Sequence, residues 1–111
     1  MHIEWTPETL AIQLGYPAND AMQAQAKRIM DSAPGFAHFA HHLLSLKDAI
    51  APLEGYLAFS SSRDAIKIKT DATTPETIEA YTAALERWSA KYKVALEPVQ
   101  NTHTFYIIGQ R

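Results

Sequence analysis

Cysteine is absent from this chain. Its absence excludes disulfides, thiolate nucleophiles, iron–sulfur clusters and thiolate zinc sites. Glycine is scarce: Gly15, Gly35, Gly55 and Gly109 stand alone at segment boundaries, so there is neither a phosphate-cradling loop nor a dinucleotide fingerprint. No apolar run approaches the ~18 residues that a membrane span requires. The opening Met1-His2-Ile3-Glu4-Trp5-Thr6-Pro7 lacks the cationic-then-apolar order of a secretory signal. The expectation from these absences is a soluble, cytoplasmic protein without a membrane partner. A surplus of either charge is missing too: ten Lys and Arg against twelve Asp and Glu leave a net charge of -2. Such a balance gives no long-range attraction to phosphate backbones, which disfavours nucleic acid as a partner.

What is present suits a folded domain. At 111 residues, 47% hydrophobic and 20% charged, the chain is long enough to enclose a core without staples. One domain spanning 1–111 is expected, with a helical part (1–54) followed by a ββαββ part (55–111). Thr-Pro-Glu-Thr occurs at Thr6–Thr9 and again at Thr74–Thr77. Each copy is a helix start: threonine caps free N–H groups, proline takes the first helical position, and glutamate complements the dipole. A first helix should run from Pro7 to about Leu14, stopped by Gly15 and Pro17, and a second from a cap near Asn19 or Asp20 to the break at Pro34-Gly35. The stripe Phe36, Phe39, Leu43, Leu46 and Ile50, stepping by three and four, predicts one continuous third helix over 36–50.

After Gly55 the period changes. Tyr56–Ser60 and Ala65–Thr70 read as a hairpin around Ser61-Ser62-Arg63-Asp64, with Ile66 and Ile68 on one face and Lys67 and Lys69 on the other. Pro75 to about Tyr92 is a helix burying Ile78, Tyr81, Leu85, Trp88 and Tyr92. Val94–Val99 and His103–Ile108 form a second hairpin; Pro98 puts the first of these strands at an edge or bulge, because proline cannot donate to a ladder. The last strand is apolar on both faces, so it is either central or leaves apolar surface for a partner. The fold class is therefore α+β: a helical first half and a mostly antiparallel four-stranded sheet packed on helices. Strand order does not follow from the sequence.

Chemistry-bearing groups concentrate at His38, His41 and His42. On one continuous helix they share the face opposite the apolar stripe, and His38 with His42, at i and i+4, can share a metal ion if further ligands arrive from elsewhere. The residue after His38 is Phe39 and not the glutamate of a zinc-protease motif, so a solvated histidine face is the plainer reading. Lys67 and Lys69, with Arg63, His103 and either Tyr56 or Tyr106, make a second candidate: cations interleaved with aromatics on a sheet, or simply lysines that protect an edge strand. The segment Leu10–Tyr16 before the helix near Asn19 has a faint helix-turn-helix outline, better explained as an αα-hairpin. Ser60, Ser61 and Ser62 lack the glycine-flanked elbow of a serine nucleophile.

No conventional catalytic motif is found, and no motif implies a cofactor. The reading that follows is a non-enzymatic interaction module that binds another protein or associates with itself, with His41, Phe105 and Ile107 on the interaction surface. A small-molecule-binding protein or small enzyme is the alternative, its pocket lying between sheet and helices and lined by Trp88, Tyr81 and Tyr106. Metal binding through His38 and His42 is a third.

Overall fold

The computed structural model describes residues 5–60 and 62–111; Met1–Glu4 of the opening segment and Ser61 of the serine run lie outside them. Helices α1 (Pro7–Gln13) and α2 (Asp20–Ser32) pack against each other. Then come α3 (Phe36–Phe39), α4 (His42–Ile50), a 3-10 turn at Ala51–Leu53, strands β1 (Gly55–Phe59) and β2 (Ile66–Thr70), helix α5 (Pro75–Tyr92), and strands β3 (Val94–Pro98) and β4 (Phe105–Gln110).

The capping expectations hold. Thr6, Asn19 and Thr74 each accept a hydrogen bond from the backbone N–H three residues on, at Thr9, Met22 and Thr77. At the end of α1, Gly15 takes φ +89°, and its N–H and that of Tyr16 close back onto Ile12 and Ala11, the paired bonds of a glycine C-cap.

One expected helix is two. The apolar stripe over 36–50 is buried as anticipated, but the helix breaks at Ala40-His41. There the Leu43 N–H bonds to Ala40, three residues back, a tighter turn than the α-helix. The two pieces answer to different neighbours: α3 packs on β4, whereas α4 lies against α5 and β1.

The sheet is antiparallel throughout, in the order β1-β2-β4-β3. Pro98 therefore sits on an edge strand, and the doubly apolar β4 is interior. Opposite the Ala95/Leu96 step the register shifts, leaving Ile108 as the extra residue of a bulge. On the face toward the helices, Leu57, Phe59, Ile66, Ile68 and Ile107 are buried in one core cluster with Leu10, Ile29, Phe36, Phe39, Leu43, Leu46, Tyr81, Leu85 and Trp88. Full burial of a large apolar side chain contributes about 1.5–3 kcal/mol, and this cluster draws on both halves of the chain. Among the described residues no helix is long and apolar enough to cross a membrane.

The halves come into backbone contact where Pro34-Gly35 lies against Gly109-Gln110. The Gln110 N–H donates to the Pro34 carbonyl at 2.7 Å. Gly109 has φ +151°, and a Cβ there would stand 2.7 Å from Pro34 Cδ, so both the conformation and the space demand glycine.

Candidate functional site

The sheet presents its second face away from the core. In β1 and β2 the side chains alternate: Ala58 and Lys67 fall between buried neighbours, Tyr56 and Lys69 each adjoin one, and all four are themselves partly exposed. Cross-strand register then sets their company: Tyr56 is opposite Lys69, Ala58 opposite Lys67, Lys67 opposite Tyr106, and Tyr106 opposite Glu97. A row of residues thus crosses all four strands on one face.

The β1–β2 loop completes this patch. The Arg63 guanidinium sits 4.6 Å from the centre of the Tyr106 ring and bonds Glu97 at 2.6 Å. Ser60, Ser62 and the Tyr106 hydroxyl form a chain of two hydrogen bonds, each 3.2 Å. Hydrogen bonding from Ser62 and then Ser60 holds the Tyr106 phenol below its ordinary pKa; slight burial opposes this, and the charges of Arg63 and Lys67 add to it. Lys67 and Lys69 enter none of the three ion pairs found among the described residues. His103 does not join the patch: it stands in the turn before β4, beyond the Ile68–Phe105 pair and away from the loop that carries Arg63.

A second concavity lies in the helical layer. Ser45 and Ala49 of α4 face Ala84, Arg87, Trp88, Lys91 and Tyr92 of α5 across an open cleft of about 300 Å³. The cleft exists because Ser45, Ala49 and Ala84 are short where larger side chains would fill the seam. Its aromatic wall is held from behind. The Trp88 indole N–H donates to the His42 carbonyl at 2.9 Å, and the His42 ring stacks on Tyr92 at 3.7 Å and 17°.

The residues singled out from sequence separate in space. Tyr81, Trp88 and Tyr106 do not line one pocket. Tyr81 is fully buried, its hydroxyl donates to the His103 carbonyl, and burial above all raises its pKa. Trp88 borders the α4–α5 cleft, and Tyr106 lies on the opposite side of the sheet. Of the three, Trp88 alone borders the cleft between α4 and α5. Ile107 is 3% exposed and Phe105 packs on the same core, so the side chains of β4 that reach the open face start with Tyr106.

The histidines differ in exposure. His38 and His41 are exposed, while His42 is half-buried between His41, 3.9 Å away, and Tyr92. Between His38 and His42 the helix is interrupted at Ala40-His41, although both linking residues keep right-handed helical dihedrals. Burial first, then the neighbouring charges of His41 and Lys91, push the His42 pKa below its usual value. Among the described residues no three His, Cys, Asp or Glu side chains come together as a metal ligand set.

The sequence groups Arg63 with Tyr106 but does not place the guanidinium on the ring, and it does not disclose the cleft. For the cleft a signal existed, in that Ser45 and Ala49, and likewise Ala84 and Trp88, are four residues apart on their helices. Which helix would face which was not encoded locally. Comparisons with protein-family models, with curated proteins and with solved structures find no match.

Proposed function

We propose that this protein is a non-enzymatic interaction module that binds an acidic segment of a partner protein across the open face of its sheet. The observation that carries this reading is the patch of Tyr56, Lys67, Lys69, Arg63 and Tyr106, where Glu97 is the one carboxylate in the cross-strand row. The chain as a whole is slightly acidic, so gathering cations on one face gives that face a sign of its own, and sign selects partners and steers encounter. The tyrosines supply flat, amphipathic contact area at small cost in side-chain freedom. Pro98 on the β3 edge disfavours strand addition there, which leaves the face rather than that edge as the docking surface.

The test is capture of a partner by wild type and by Lys67→Glu/Lys69→Glu, followed by reassembly with the purified partner and competition by an acidic peptide. The reading expects a complex that weakens steeply with salt, is displaced by the peptide and is lost in the double variant. Capture that survives charge reversal overturns it. So does a concentration-dependent dimer of the protein alone that the double variant abolishes, which would give the face to a second copy, or selective binding of a single-stranded oligonucleotide.

A further inference from the structure

We infer that the cleft between α4 and α5 is a binding site for a small aromatic carboxylate. Its chemistry is distinct from that of the sheet face and does not depend on it. The walls are flat and already fixed: Trp88 is tied through its indole N–H to the His42 carbonyl, and Tyr92 is held by the His42 stack, with Trp88 and Tyr92 edge to face at 6.0 Å and 61°. Rings fixed before binding lose little freedom when a ligand arrives.

Charge sets the class of ligand. Arg87 and Lys91, one turn apart on α5, line the cleft, and no carboxylate does. Both are exposed, and neither enters an ion pair found among the described residues. Lys91 keeps its ammonium 5.3 Å from the centre of the Tyr92 ring. The cation is thus positioned beside the aromatic surface on which a planar ligand would rest. Across the cleft Ser45 adds a hydroxyl, a donor or acceptor for the far end of the ligand.

Size narrows the choice further. About 300 Å³ is at the small end of the ~300–1,000 Å³ range of ligand sites, which suits one ring or two fused rings and not a nucleotide. An inorganic anion would use the two cations but leave the aromatic walls uncovered; a neutral ring would do the reverse. An aromatic carboxylate uses both, with the carboxylate toward Arg87, whose planar guanidinium can hold it by two parallel hydrogen bonds.

The experiment is a titration followed by NMR, with benzoate as the probe and benzamide and cyclohexanecarboxylate as its neutral and non-aromatic counterparts. The Trp5→Phe variant leaves Trp88 as the sole indole of the two in the chain, so its N–H resonance reports the cleft directly. Benzoate should shift this resonance and the backbone amides of Ser45, Ala49 and Ala84 in a saturable way, with both counterparts about tenfold weaker, a difference of ~1.4 kcal/mol. Arg87→Gln/Lys91→Gln should lose benzoate by a similar factor, and Ala49→Leu, which fills the cleft from an exposed position, should block it, each with an unchanged melting temperature. Absence of saturable shifts at millimolar benzoate, equal binding of benzamide, or unchanged binding to the double variant overturns the proposal.

Discussion

A single phenolic oxygen ties the first half of the chain to the sheet edge. The Tyr16 hydroxyl accepts from the Phe59 N–H at 3.0 Å while its ring stacks on Phe59 at 4.6 Å, so one side chain both blunts an edge strand and packs on it. Tyr16→Phe keeps the stack and removes the acceptor; chemical denaturation should show a loss of about 1 kcal/mol, and denaturant midpoints for the two proteins check it. Gly109→Ala should cost more, on the order of 2 kcal/mol or above, because the new methyl meets Pro34 at a backbone angle that L residues avoid. His42 is the residue-scale pH sensor. Its neutral form is favoured in the folded state by burial first and then by the charges of His41 and Lys91, so the unfolded chain takes up the proton first. The contribution of His42 to stability is therefore complete above ~6.5, the ordinary histidine value, and is lost as pH falls through the lower folded value. The difference in melting temperature between wild type and His42→Phe should change below pH ~6.5 and stay constant above it.

At the scale of elements, α5 shows how much was legible and where legibility stopped. Its Thr-Pro-Glu-Thr start and the middle of its stripe, Tyr81, Leu85 and Trp88, appear as written in the sequence, because capping and burial on one face are local properties, whereas Ile78 and Tyr92, expected to be buried, are only half-buried toward the two ends of the helix. The β2 alternation of Ile66 and Ile68 with Lys67 and Lys69 was equally plain. The break at Ala40-His41 was not, since alanine and histidine carry no helix-stopping chemistry; it arises because α3 turns to β4 while α4 stays with α5 and β1, a tertiary demand. Strand order is tertiary as well, and it puts Tyr106 beside Lys67, while the alternation along β4 turns Tyr106 away from the face that packs on Trp88 and Tyr81. This is why three aromatics that looked like one pocket belong to three environments. The end of α5 carries a further prediction: Lys93 occupies the left-handed region at φ 56°, where a side chain is disfavoured. Lys93→Gly should stabilise by about 0.5–1 kcal/mol, read as a higher melting temperature, the gain limited by the extra freedom glycine gives the unfolded chain.

At the scale of the whole molecule, the two proposed surfaces lie on opposite sides: the cationic sheet face outward from the core, and the α4–α5 cleft in the helical layer. A protein bound across the sheet therefore leaves the cleft open, and both can be tested on one sample. The contact of Pro34-Gly35 with Gly109-Gln110 bears on how the chain holds together. It joins the first half of the sequence to its final strand by a hydrogen bond that spans most of the chain, and the shared core reinforces it. Neither half can bury its apolar face alone. Cutting the chain after Glu54 should therefore give two fragments that are each unstructured in isolation yet recover the native circular dichroism spectrum when mixed, as complementing pieces, and Gly109→Ala in the second piece should weaken that recovery first.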